Sequence, residues 1–324
     1  MTRILTFAEA LHEAMTEEME RDDAVFFMGE DVGLFGGVFG EAAGLQERFG
    51  RRRVFDTPIA ESLIVGAGVG AAITGLRPIV ELQYADFVSV AMDEIYNKAA
   101  KWRYMHGGLF TVPLVILAAE GAAGGAGPEH SQCPEALFYS APGLHVVVPS
   151  TPADAKGLFK SAVRSDNPVL FFQHKGLAGV SGPVPDGDHL VPIGQADIKR
   201  AGDDVTVIAW SKLVHTALEA AAVLAGDGIS VEVVDPRGIN PLDMDTILES
   251  VRRTGKVVLA HEAGVTGGPA SEVAARIAES ALDYLAAPIR RVGAPDIPMP
   301  QSIALESQVV PSATDLVTVI KEIV

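Results

Sequence analysis

Val112-Pro-Leu-Val-Ile-Leu117 is a continuous apolar run. Gly107-Gly108 precedes it, and the glycine-rich stretch Gly121-Ala-Ala-Gly-Gly-Ala-Gly-Pro-Glu-His-Ser-Gln132 follows it. A strand with one wet face alternates apolar and polar residues. A run without alternation is buried on both faces, which is the habit of parallel sheets covered by helices. The same pattern recurs outward from this stretch. Towards the N-terminus lie Pro78–Leu82 and Ala24–Met28, the latter ending at Gly29-Glu30-Asp31; towards the C-terminus lie His145–Val148 and Val169–Phe172. Helical patterns separate them. Val88, Met92, Ile95, Ala99 and Trp102 recur at helical spacing and predict a helix over about residues 88–105 with that stripe inward; Ala153–Arg164 is another. The first twenty residues form an amphipathic helix pattern, with Thr6 and Glu9 spaced as a capping box.

Between Gly176 and Gly194 the pattern stops in turn-rich sequence that includes Gly182-Pro-Val-Pro-Asp-Gly-Asp188. Alternation then resumes. Strands are expected at Val205–Ala209, Val231–Val234, Val257–Ala260 and Ile289–Val292. Helices are expected at Val214–Leu224, Thr246–Arg253, Ala270–Leu285 and Asp315–Ile323. Strands alternating with helices specify an α/β fold with two parallel-sheet domains. A length of 324 residues agrees with two domains at about 150 residues each.

Composition narrows the function classes. Counted with its 33 glycines, the chain is above about 55% apolar, against a usual ~45–50%. Aromatics are only 6%, so the excess is small and aliphatic, suited to close packing of helices on a sheet and to surfaces buried by other chains. A net charge of −17 excludes nucleic acid and anionic membrane surfaces as partners. The run Arg51-Arg52-Arg53 reads as a local ion-pairing or solvated loop rather than a polyanion site. Cys133 is the single cysteine, which excludes a disulfide framework or a thiolate-rich metal site. With no apolar run of ~18–20 residues and acids early in the chain, a cytoplasmic protein is expected.

Two motif matches are decoys. Gly66-Ala-Gly-Val-Gly-Ala71 nearly matches GxGxxG/A, but what precedes it is a loop entering a helix, whereas a dinucleotide fingerprint follows a strand. Gly66 and Gly70 are read instead as a small-residue face for helix packing. Gly226-Asp227-Gly228 opens like a thiamine diphosphate motif, but Asn97, Asn167 and Asn240 all lie at the wrong distance to complete it. It reads as a helix stop. Two further features stay open on spacing alone. Glu61 is either an ordinary acid favoured at the first turn of a helix or a site acid among apolar neighbours. His130 is either a solvated loop histidine or a general acid or base on a loop that lets backbone approach a ligand.

Longer strings resolve these choices. They are Gly29-Glu-Asp-Val-Gly33, Arg53-Val-Phe-Asp-Thr-Pro-Ile-Ala-Glu61, Gly75-Leu-Arg-Pro-Ile-Val-Glu81, Asp86-Phe87 and Ala99-Ala-Lys-Trp-Arg-Tyr-Met105. Further along come His130-Ser-Gln132, Pro142-Gly-Leu144, Pro149-Ser-Thr-Pro-Ala-Asp-Ala-Lys-Gly157, Ile239-Asn-Pro-Leu-Asp243 and Ala287-Pro-Ile-Arg-Arg-Val292. In this order the chain closely resembles the beta subunit of the thiamine-dependent decarboxylating component of 2-oxoacid dehydrogenase complexes. That family covers pyruvate, branched-chain 2-oxoacid and acetoin dehydrogenases.

The resemblance implies a transketolase-like pyrimidine-binding domain over 1–180, a linker over 181–200 and a transketolase-type C-terminal domain over 201–324. It implies an α2β2 assembly in which thiamine diphosphate is shared with an alpha subunit. The alpha subunit would carry the magnesium–diphosphate motif that Gly226-Asp227-Gly228 leaves incomplete. By the same resemblance Glu61 binds the aminopyrimidine ring, Phe87 packs on that ring, and Gln83 lines the pocket. His130 stabilises or protonates intermediates and helps pass the acyl group to a lipoyl-bearing acyltransferase. Leu114, Ala162, Val163, Ser165 and Asn167 match a loop that holds potassium in some members, with Ser165 where an acid is common. Leu117 stands where many relatives have arginine, and Glu129 where glutamine is common. The implied reaction is oxidative decarboxylation of pyruvate or a branched-chain 2-oxoacid. The alternatives are acetoin cleavage, the C-terminal half of a split transketolase, and a non-catalytic docking scaffold.

Overall fold

Val112–Leu117 leads into the middle of a parallel sheet. In the computed structural model, which describes residues 2–324, the chain divides into two units. The first comprises residues up to Glu120 together with Leu137–Ile193; the second comprises Gly121–Ala136 and Gly194–Val324.

The first unit contains β1 (Thr2–Thr6), α1 (Phe7–Arg21), β2 (Val25–Gly29), α2 (Leu45–Phe49), β3 (Val54–Asp56), α3 (Glu61–Ile73) and β4 (Arg77–Leu82). It continues with α4 (Trp102–Met105), β5 (Val115–Glu120), β6 (His145–Val147), α5 (Pro152–Arg164), β7 (Val169–His174) and β8 (Ser181–Pro185). Its main sheet runs β6-β7-β5-β4-β2-β3, parallel at every pairing. Every residue of β5 is buried. Leu11, Met15, Phe27, Val115, Leu117, Phe159 and Phe171 share one core cluster, so α1 and α5 cover one face. On the other face α3 approaches closely at Gly68: a Cβ there would lie 2.8 Å from Val80 Cγ1 and 2.9 Å from Leu114 Cδ1. Gly66 and Gly70, read from the sequence as a helix-packing face, are not the glycines in this sheet contact. Gly70 has nothing within 4 Å, and Gly66 meets only Glu94 at 3.5 Å.

Thr6 caps α1 through a complete capping box with Glu9. Arg53 sends its guanidinium to the carbonyls of Met19, Asp22 and Val25, a cation at the carbonyl end of α1. The helix expected over 88–105 is broken into a 3-10 turn, Ala85–Ser89, a π-helical segment, Asp93–Ala99, and α4. The Ala100 N–H donates to Ile95 O at 3.1 Å. The extra residue in that wider turn rotates the stripe, so Ile95 and Ala99 are buried while Met92 and Trp102 are only half-buried.

The second unit contains β9 (Asp197–Arg200), β10 (Val205–Ala209), α6 (Lys212–Ala225), β11 (Val231–Asp235), β12 (Gly238–Asn240) and α7 (Met244–Thr254). Then follow β13 (Val257–Gly264), α8 (Pro269–Ala281), β14 (Arg290–Ala294), α9 (Ile303–Val309) and α10 (Ala313–Lys321). Its sheet runs β14-β13-β10-β11-β9, parallel except for the antiparallel edge strand β9. Leu213, Ala217, Leu224, Val207, Val233, Leu316 and Ile320 form its core cluster. Ile303–Lys321 has the length and composition of a membrane span, yet it is two helices, and Ser312 opens α10 with a second capping box.

The stretch 181–200 is more than a linker. It holds β8, antiparallel to β1, and β9. Gly182, Pro183 and Pro185 hide β8 from pattern reading, because such residues occur in strands only at edges.

Filling Gly68 and Gly70 therefore has opposite effects. Gly68→Val is expected to destabilise the chain by ~1–3 kcal/mol through overpacking. Gly70→Ala is expected to stabilise it by ~0.5–1 kcal/mol through helix propensity. Denaturant unfolding of the two variants checks both signs.

Candidate active site

In the first unit the residues after β2, β3 and β4 gather at the C-terminal edge of the sheet, where open α/β sheets bind ligands. Glu30 follows β2, Glu61 opens α3 after β3, and Gln83 follows β4. Glu61 is 8% exposed and Glu30 6%. As the first residue of α3, Glu61 stands at the positive end of the helix dipole. Burial, then the charges of Glu61 and Asp31, push the Glu30 carboxyl above its ordinary range. Glu81 and Glu41 are each 2% exposed. Burial holds Glu81 well above the usual carboxyl range; a hydrogen bond with Glu41 and the charges of Glu41 and Glu30 add to it. The four carboxyls thus form an electrostatically linked series, Glu61 to Glu30 to Glu81 to Glu41.

The glycines of this region make room for the acids. A Cβ on Gly29 would lie 2.8 Å from Glu81 Cβ. Gly37 has φ +83°, and a Cβ there would overlap the Glu41 carboxyl. The Gly33 N–H donates to Asp56 Oδ1 at 2.6 Å, tying the loop after β2 to the end of β3.

Phe87 lies in the turn Ala85–Ser89, half-buried. Its ring stands edge-on to Tyr84 at 6.0 Å between centroids, and Tyr84 stands edge-on to Phe39 at 5.9 Å. The Lys175 ammonium sits 5.3 Å from the Tyr84 ring centre. Gln83, beside Tyr84, is half-buried.

His130 belongs to the second unit, on the segment Gly121–Ala136. The Gly121 N–H donates to Gln132 O at 3.1 Å, and the His130 N–H donates to Gly127 O at 3.3 Å. The loop is thus closed on itself, and it is also held from outside. The Ala122 N–H donates to the Glu262 carboxylate, and the Gly125 N–H donates to Glu306 Oε2 at 2.9 Å. Glu135, at the far end of the segment, lies 3.1 Å from His261 Nε2, both side chains buried. His261 Nδ1 accepts the Ala263 N–H, which puts the proton of the neutral ring on Nε2, facing Glu135. A cleft of about 450 Å³ runs alongside, lined by Ser131, Gln132, Cys133, Glu262 and Asp296.

Both motif matches resolve structurally. Gly66–Ala71 lies inside α3, without the strand and turn of a dinucleotide site. Gly226 caps α6, the Asp227 N–H returns to Leu224 O, and the Asp227 carboxylate pairs with Lys321 at 2.7 Å on the surface.

The pyrimidine-binding domain of transketolase matches residues 4–180, and the transketolase C-terminal domain matches 194–316. The chain is 50% identical over 305 residues to the 2-oxoisovalerate dehydrogenase subunit beta of Bacillus subtilis, covering 94% of this chain and 93% of that one. The chain belongs to the family of 2-oxoacid dehydrogenase beta subunits. Other members include the pyruvate dehydrogenase E1 component subunit beta of Rhizobium meliloti, 44% identical over 98% of this chain and 70% of that one. The acetoin:2,6-dichlorophenolindophenol oxidoreductase subunit beta of Cupriavidus necator is 45% identical over 98% and 96%. A solved structure titled split gene transketolase, inactive beta4 tetramer, superposes with a TM-score of 0.79 at 27% identity over 98% of both chains. The fold is therefore two transketolase-type domains.

The five carbonyls at the potassium positions of the family each carry one hydrogen bond in this chain. Leu114 O accepts the Val169 N–H and Ala162 O the Ser165 N–H. Val163 O and Ser165 O both accept from Arg77, at 2.9 and 3.1 Å, and Asn167 O accepts the Ser165 hydroxyl. Arg103 holds the Asn167 side-chain oxygen at 2.9 Å. Each carbonyl oxygen keeps a second lone pair, and the Arg77 guanidinium that sits on two of them is itself paired with Asp166 at 2.8 Å. A cavity of about 850 Å³ opens beside Arg103 and Asn167, lined also by Tyr104, Met105 and Gly143.

Sequence reasoning singled out Glu61, Phe87 and His130 as candidates through strings shared with the family. It missed the pairing of Glu81 with Glu41, although Glu81 ends one of those strings. It also missed Glu262 and Glu306, which stand in no motif.

Two measurements follow. The folded chain binds protons at Glu81 and Glu30 more readily than the unfolded chain, whose carboxyls titrate near 4.5. Stability contributed there therefore falls as pH rises above that value. Glu81→Gln is expected to raise the unfolding midpoint at neutral pH and to flatten its decline as pH rises above about 4.5, and denaturation across a pH series reads both effects. Separately, Arg77→Met is expected to cost ~1–3 kcal/mol by leaving two carbonyls without their donor. Denaturant unfolding reads the difference, and an unchanged midpoint would contradict the guanidinium assignment.

Proposed function

We propose that the chain is the beta subunit of a thiamine-diphosphate-dependent 2-oxoacid dehydrogenase. It acts with an alpha subunit in an α2β2 assembly, oxidatively decarboxylates pyruvate or a branched-chain 2-oxoacid, and passes the acyl group to the lipoyl arm of an acyltransferase. The observation that carries this reading is Glu61. It is a buried carboxyl at the C-terminal edge of a parallel sheet, in a chain related along nearly its whole length to named beta subunits.

The residues of the first unit fit the pyrimidine end of thiamine diphosphate: a buried acid, a half-buried aromatic ring and an amide follow neighbouring strands. When bound, the cofactor supplies the electron sink that loss of carbon dioxide from a 2-oxoacid requires. Glu61 would hold a proton between its carboxyl and a pyrimidine ring nitrogen. Phe87, braced by Tyr84 and Phe39, would present its ring face to the pyrimidine. Gln83 would line the same pocket. With Gly226-Asp227-Gly228 forming only a helix-ending turn, the alpha subunit would hold the magnesium and diphosphate end. His130 would hold or give a proton at an imidazole nitrogen during acyl transfer, a role worth ~10²–10⁴-fold.

Acetoin cleavage is the second reading, supported by the acetoin oxidoreductase relatives of Cupriavidus necator and Bacillus subtilis, both matched over nearly their full length. The test is to reconstitute the chain with its alpha subunit and assay pyruvate, branched-chain 2-oxoacids, acetoin and ketose phosphates. Turnover of 2-oxoacids with lipoyl acylation is expected, and turnover of acetoin alone would select the second reading. Glu61→Gln is expected to abolish most turnover, and an unchanged rate would remove it as the cofactor acid. His130→Ala is expected to slow lipoyl acylation by about 10²-fold or more.

A further inference from the structure

We propose that Glu262 and Glu306 are positioning residues for His130. The inference rests on the reading of His130 as the acyl-transfer group.

A loop with glycines at 121, 124, 125 and 127 loses more backbone freedom on ordering than other sequence does. Something must hold it if His130 is to act from a fixed place. Glu262, in β13, takes the Ala122 N–H; Glu306, on α9, takes the Gly125 N–H. Both acids are more than nine-tenths buried, at 5% and 7% exposed. Burying a carboxylate is costly unless it is hydrogen-bonded, and a backbone N–H given to an ionised carboxylate makes a charge-assisted bond. Shape reinforces the bond at Glu306. Gly125 has φ +74°, and a Cβ there would lie 2.5 Å from Gln301 O, so the loop is pressed against the backbone that leads into α9. At the other end of the segment Glu135 faces His261. The turn carrying His130 is thus fixed on both sides. The two acids would act through the loop backbone and not on substrate.

The test uses the reconstituted complex with its acyltransferase. Glu306→Ala is expected to lower kcat for lipoyl acylation about tenfold or more, with the 2-oxoacid KM little changed. Amide exchange over residues 121–130 should speed up by a similar factor, as loss of a charge-assisted bond implies. Glu306→Gln keeps an acceptor oxygen and should restore both readouts. Gly125→Ala pushes the loop off Gln301 without removing an acid and should reproduce the loss. Combined with His130→Ala, Glu306→Ala should add no further loss of acylation. Wild-type acylation by His130→Ala would remove the reading beneath the inference. An impaired His130→Ala beside unchanged exchange and acylation in Glu306→Ala and Gly125→Ala would overturn the inference alone, as would failure of Glu306→Gln to rescue.

Discussion

Six strands that all point the same way set the terms for the first unit. A parallel sheet must be covered on both faces, and its strands must be joined by crossovers that return to the same starting edge. Whatever follows each strand is therefore delivered to the opposite edge. Glu30, Glu61 and Gln83 are far apart in sequence yet lie at the ends of three neighbouring strands. The apolar runs that fill the core and the polar residues that follow them are two results of one constraint.

That edge is built on carboxyl groups placed where ordinary solvation is lost. Glu61 is compensated by the start of α3. Glu81 is raised by burial and by the neighbouring Glu41, and the glycines at 29 and 37 surrender their side chains to make the space. Elsewhere the chain compensates its acids with cations. Lys156 and Lys160 are buried and reach Glu13, Glu17 and Asp188, and Arg164 joins Glu18 to Asp188. The contrast between a cation-paired network beneath α1 and a carboxyl series at the strand ends separates scaffold from candidate site. It follows from local chemistry and not from the net charge of −17.

Legibility in the sequence followed how local the determining signal is. β10 was readable residue for residue because four buried apolar residues and Thr206 stand between turn signals, and α1 was readable from its own cap. β8 was hidden because its pairing with β1 spans most of the first unit and its glycine and prolines resemble a turn. The π-helical segment was hidden because periodicity analysis assumes one turn width. α9 was missed for its shortness, and with it Glu306. Gly68 shows the limit from another direction: spacing identified a helix with small residues, but only the position of Val80 and Leu114 says which glycine is irreplaceable. Glu61 had two sequence readings of its own, and the neighbouring string, not the spacing, separated them.

The excursion of Gly121–Ala136 into the second unit has a consequence for how this chain can be divided. The boundary at Ile193 and Gly194 invites a cut there to yield two independent halves. A fragment ending at that point would carry the glycine-rich loop and His130 but leave Glu262, Glu306 and His261 on the other piece. Exchange of the C-terminal half with that of a relative would likewise replace the residues that hold the loop while leaving the loop itself unchanged. Linear order and structural membership disagree over sixteen residues, so the natural unit of recombination is the segment with its holders, taken together.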